Sequence, residues 1–91
     1  SMGDYFQSLF YLNIALAINE KILPTNHPDL ATSYNNIGTV CKGMGDHSQA
    51  LSYYNKALAI EEKTLPANHP SLATSYSNIG SAYDNMGDYS Q

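Results

Sequence analysis

From Pro28 onward, apolar residues fall at Leu30, Tyr34, Ile37, Cys41 and Met44, separated by four, three, four and three positions. That stride marks one face of an α-helix. Pro28 suits a first helical turn, where its missing N–H costs nothing, and Asn26 and His27 supply capping chemistry just before it. Gly45-Asp46 then breaks the pattern. A second helix carries Ala50, Leu51, Tyr54, Ala57, Leu58 and Leu65 on one side and ends at Leu65-Pro66. The first spacing returns at Leu72, Tyr76, Ile79, Tyr83 and Met86, and Gly87-Asp88 predicts a second break. No segment alternates with a period of two, so the pattern predicts an all-α chain without strands.

The two helix types recur because the chain repeats itself. Asn26-His27-Pro28 returns as Asn68-His69-Pro70, and Gly3-Asp4 returns as Gly45-Asp46 and Gly87-Asp88. Every one of these shifts is 42 residues, and sliding residues 1–49 onto 43–91 aligns 31 identities in 49 positions. Repetition at such a period signals a solenoid. The pattern predicts four main antiparallel helices, at about 4–23, 28–44, 47–65 and 70–86, in a single repeat domain over residues 1–91. The chain begins on a second-type helix. Tyr89-Ser90-Gln91 opens another, so the expected context is a fragment of a longer array. Ser1-Met2 reads as a cloning scar, although Met44 shows that a Met belongs to the pattern.

The run Tyr34-x2-Ile37-Gly38-x2-Cys41 followed by Ala50-x3-Tyr54 resembles the tetratricopeptide repeat, and Tyr76-x2-Ile79-Gly80-x2-Tyr83 repeats its first half. The 42-residue unit and the ALAIEEKTLPANHPSLATSYSNIG segment resemble the kinesin light chain subtype. This resemblance covers essentially the whole chain. It implies a right-handed α-α superhelix in which Gly38 and Gly80, with Ala50 and Ala57, let paired helices approach closely. Cys41 stands where the family has Tyr, and His47 where an aromatic such as Tyr5 or Tyr89 stands; both predict locally looser packing.

Charge narrows the function classes. Four Lys and no Arg against eight acidic residues give a net charge of −4. Without a basic run to neutralise phosphates, nucleic-acid binding is not expected. No stretch approaches the ~20 apolar residues of a membrane span. One Cys excludes an internal disulfide and points to a reducing, cytoplasmic setting. His27 and His69 sit one repeat apart and read as turn-shaping residues, and the sequence arranges no ligand set around His47, so no metal is expected. Cys41 lies on the core face without a base beside it. Adjacent Glu61 and Glu62 point about 100° apart on a helix and make no carboxylate pair. No enzyme and no cofactor are expected.

The polar face of the helices is the candidate binding surface. On the Pro28 helix it carries Thr32, Asn35, Asn36 and Thr39, flanked by Lys42 and Gly43. On the Pro70 helix it carries Thr74, Ser77, Asn78, Ser81, Asp84 and Asn85. The resemblance implies that such residues line a concave groove that holds a peptide or partner helix, with Asn36 and Asn78 matching the Asn that bonds a ligand's backbone. The cationic residues that clamp a carboxylate in some relatives are missing, since Asn35 and Ser77 stand in one such place and Lys42 is alone. The expected role is a protein-interaction scaffold for a peptide or protein partner. The alternative is a structural element that associates with itself. Phe6, Phe10, Ile14 and Ile22 replace Ser48, Ser52, Lys56 and Thr64 of the inner repeat and make the first helix apolar nearly all round. Ile79, Tyr83 and Met86 lack a covering helix, so homo-oligomers are expected head to tail or through the N-terminal helix.

Overall fold

The computed structural model describes residues 2–90, leaving aside the side chains of residues 88–90. Its four helices are α1 (Met2–Ile22), α2 (Pro28–Gly43), α3 (His47–Thr64) and α4 (Pro70–Ser90). Each packs on the next: α1 on α2, α2 on α3 and α3 on α4. Among the described residues every regular element is helical. This is the tetratricopeptide-like architecture expected from the repeat.

The connections follow from local chemistry. His27 caps α2 by accepting a hydrogen bond from the Asp29 N–H at its Nδ1, 3.0 Å away. His69 does the same for the Ser71 N–H at 3.0 Å. Each histidine thus satisfies an otherwise orphaned donor of the first turn. Between α2 and α3 the chain reverses at Gly45, whose φ of 86° suits a residue without a Cβ. Asp46 then starts α3 by accepting from the Gln49 N–H at 3.2 Å. Gly87-Asp88 does not repeat this break; α4 runs on to Ser90. Glycine permits the reversal without imposing it. At Gly45 the turn is held by α3 packed on α2 and by the Asp46 N–H donating to the Cys41 carbonyl at 2.9 Å.

The core lies between α2 and α3. Ile37, Ala50, Tyr54 and Ala57 are sealed there, with Leu30, Ala31, Cys41 and Ile60 around them. Gly38 explains the tightness of the contact: a Cβ at this position would lie 2.8 Å from the Tyr54 ring and 3.3 Å from the Ala50 carbonyl oxygen. Gly80, its repeat counterpart, has open space in the same direction. Gly43 serves another junction, since a Cβ there would meet the Tyr5 ring of α1 at 2.6 Å.

The core face expected for α1 is only partly realised. Leu16 is buried, and Leu9, Leu12 and Leu23 pack against the core. Ala15 is exposed, although Ala57 is fully buried, because nothing described packs where α2 packs on α3. Phe6, Phe10, Ile14 and Ile22 all stand exposed. On α4 only Tyr83 of the three expected residues stands out. Ile79 and Met86 are half-buried, and Ile79 packs against the core from the α3 side.

A candidate peptide-binding cleft

α2 and α4 both pack on α3, and the space between them forms a cleft of about 200 Å³ lined by Thr32, Asn35, Asn36, Ser71, Thr74 and Glu61. The helical stride explains the lining. Thr32, Asn35 and Asn36 lie at i, i+3 and i+4 along α2, and Ser71 and Thr74 are three apart on α4. Glu61 of α3 is only 8% exposed. Ser75 Oγ of α4, also buried, donates to Glu61 Oε1.

The cleft is polar and carries no cation. Asn35 Oδ1 is buried and accepts no hydrogen bond. The hydroxyls of Thr32 and Thr74 donate inside their own helices, to Pro28 O and Pro70 O at 3.5 and 3.4 Å, which leaves their lone pairs outward. No Lys lines the cleft. Beside the amide and hydroxyl donors of Asn35, Asn36 and Ser71 it offers an unpartnered acceptor and a buried carboxylate, which suit an occupant that brings donors.

The remaining polar residues are distributed differently. Thr39 Oγ1 donates to the Asn35 carbonyl at 3.0 Å and lies 3.2 Å from Tyr54 Oη, so its hydroxyl is engaged toward α3. Asn36, Thr39 and Val40 also face a second, larger cleft of about 670 Å³ with Asp4, Gln7, Ser8, Tyr11 and Leu12 of α1. Lys42, Ser77, Asn78, Ser81, Asp84 and Asn85 line neither cleft. The polar face predicted as one surface is thus divided, and the Tyr5 ring of α1 occupies the space in front of Gly43.

Hydrogen bonds across successive helices are themselves repeated. Tyr34 Oη donates to Glu20 at 3.0 Å, and Tyr76 Oη donates to Glu62 at 2.8 Å, one repeat on. Burial, reinforced by the Glu20 bond and charge, raises the Tyr34 pKa; the Glu62 bond does so for Tyr76. Asn19 Nδ2 donates to Ser33 Oγ at 3.4 Å where the next repeat pairs Ser75 with Glu61. The buried carboxylate is the feature of the cleft that sequence reasoning missed. Its signal was present: Glu61 stands where the first repeat has Asn19, opposite a Ser present in both units.

The family model for the tetratricopeptide repeat matches residues 1–63 and again 49–91. Among solved structures, the Podosopora anserina putative kinesin light chain with nearly identical TPR-like repeats superposes with a TM-score of 0.84 at 27% identity. The match covers 94% of this chain and 41% of that one. A point variant of the same protein matches equally, at 0.84 and 27%. The chain therefore spans less than half the length of these relatives. No curated protein matches it. Among the described residues no helix is long and apolar enough to cross a membrane.

Proposed function

Because the chain belongs to the tetratricopeptide repeat family, whose repeats are protein-interaction modules, we propose that it is a non-enzymatic scaffold binding an extended basic peptide in the α2–α4 cleft. The observation that carries this reading is the buried, unpartnered Asn35 Oδ1 beside the Glu61 carboxylate. The unpartnered Asn35 acceptor favours a ligand whose backbone N–H or ammonium group satisfies it, and the Glu61 carboxylate favours a cationic one. The chain's net charge of −4 draws the same ligand class toward the surface. Asn36 supports the peptide backbone from α2.

The test is fluorescence anisotropy with Lys-rich and Glu-rich extended peptides of equal length. The Lys-rich peptide is expected to bind more tightly. Replacing Asn35 and Asn36 with Ala should weaken it by about 1–3 kcal/mol, and E61Q should reduce the preference for Lys over Glu. Equal binding of both peptides, or an unchanged affinity in the Asn variant, places the site elsewhere.

A further inference from the structure

The cleft between α2 and α4 adjoins a smaller recess of about 140 Å³, and Thr32, Glu61 and Ser71 line both. Pro28, Ala31 and Leu65 give the recess an apolar wall, and Thr64 completes it. All of this lining belongs to the interior of the chain, between residues 28 and 74. Glu61 stands at the junction with 8% of its surface exposed. Ser75 Oγ donates to its Oε1, which leaves Oε2 for another donor. Among the described residues no Lys or His lines either cavity, so the carboxylate is held from water beside a hydroxyl and without a cation. Such burial costs free energy that a counter-ion recovers. The first repeat avoids the cost: Asn19 stands at this position, and its Nδ2 donates to Ser33 Oγ at 3.4 Å.

We propose that this recess takes the side chain of a single unmodified lysine from the bound peptide. The proposal rests on the α2–α4 cleft as the peptide's seat and names the residue that the seat selects. A lysine carries a compact ammonium on a flexible hydrocarbon stem, and it can bury the stem while its charge stays on a polar partner. Pro28, Ala31 and Leu65 receive the stem. The ammonium brings three donors. Glu61 Oε2 takes one of them in a charge-assisted bond. The Thr64 hydroxyl donates to the Ile60 carbonyl at 2.9 Å, and the Thr32 hydroxyl to Pro28 O at 3.5 Å, so both keep lone pairs for the other two.

The same geometry sets the selectivity. Arginine binds a carboxylate best through two parallel N–H bonds to its two oxygens. Ser75 already engages one oxygen of Glu61, so a guanidinium finds half of its acceptor, whereas a point charge needs one oxygen. Acetylation of the lysine removes the charge and returns Glu61 to burial without a counter-ion. Glu62, the next residue, is the contrast within the chain. It is exposed, accepts from Tyr76 Oη at 2.8 Å and lines neither of these two cavities.

Fluorescence anisotropy of the 91-residue chain with a short end-capped peptide, carrying one lysine in an uncharged Ser/Ala sequence, reads this directly. Peptides with Nε-acetyl-lysine or arginine at the same place are the comparisons. The lysine peptide is expected to bind about tenfold more tightly than the acetylated one, and more tightly than the arginine one. Glu61→Gln keeps an acceptor for Ser75 and is expected to abolish the preference for lysine over acetyl-lysine. Glu62→Gln changes the net charge equally and is expected to preserve it. Circular dichroism checks that both variants stay folded, and the comparison of peptides on the parent chain needs no variant. Equal binding of the lysine and acetyl-lysine peptides overturns the proposal, as does arginine binding as tightly as lysine. A preference that survives Glu61→Gln, or is lost in Glu62→Gln, also overturns it and assigns the effect to long-range charge. If the Lys-rich peptide still binds through Asn35 and Asn36 in any of these cases, the cleft reading stands without the recess. If no peptide binds, both fall.

Discussion

The inner pair, α2 on α3, and the outer helices, α1 and α4, are built from nearly the same residues and end in different states. Tyr54 is 1% exposed in the inner pair, while Tyr83 on α4 is 57% exposed. Gly38 and Gly80 are identical in sequence position within the repeat, yet one is pressed against an aromatic ring and the other faces open space. A repeat unit therefore specifies surfaces that are complementary to the neighbouring unit. Whether such a surface becomes core depends on what is stacked against it.

The buried tyrosine offers the strongest challenge to this contrast. Tyr54→Ala should destabilise the fold by about 3–5 kcal/mol through the cavity it leaves, whereas Tyr83→Ala should stay within about 0.5 kcal/mol. Urea denaturation of both variants checks it, and equal losses would show that α4 is already covered. Next comes the glycine pair. Gly38→Ala places a methyl within 2.8 Å of the Tyr54 ring and should cost about 1–3 kcal/mol, while Gly80→Ala should stabilise α4 by about 0.5–1 kcal/mol. Opposite signs in the two urea midpoints are the expected result.

A more modest difference separates the two tyrosine–glutamate bonds. Tyr34→Phe removes the bond from a half-buried ring to Glu20 and should cost about 1 kcal/mol. Tyr76→Phe removes the equivalent bond to Glu62 from an exposed ring and should leave the urea midpoint unchanged.

The last and weakest effect is alkaline. Burial raises the Cys41 thiol above its ordinary 9.0, with Asp46 adding to it, and burial with Glu20 raises Tyr34 above 10.0. Both folded-state values are raised, so the neutral forms are retained in the fold after the unfolded chain has lost its protons. The stability they contribute is whole below the unfolded values and is lost as pH rises through the folded ones. Urea midpoints should fall as pH rises above about 8.5, and the fall should be shallower in Cys41→Ala. Cys41 should also react slowly with thiol reagents near neutral pH, because burial disfavours the thiolate.

Helix spacing and the cap at His27 were legible in the sequence, because each rests on residues within one turn. The division of the polar face was not. Thr39 and Asn36 are both polar and lie three apart on α2, but only the packing of α3 shows that the Thr39 hydroxyl lies beside Tyr54. Glu61 likewise reads as a solvated carboxylate until α4 brings Ser75 against it. Side chains at helix flanks are committed by their neighbours, and those neighbours are distant in the chain.

The repeat and the all-α solenoid follow from the order of residues alone, since a 42-residue period of helical apolar strides makes each helix bury its face on the next; the family was legible as a resemblance of motifs. Which copies of each residue become core and which stay at the surface was settled in three dimensions. Packing sealed Ala57 and exposed Ala15, held the chain in a turn at Gly45 and let the helix run through Gly87. The physical reason is the same in each case: burial belongs to a pair of faces, and a single helix carries only one of them.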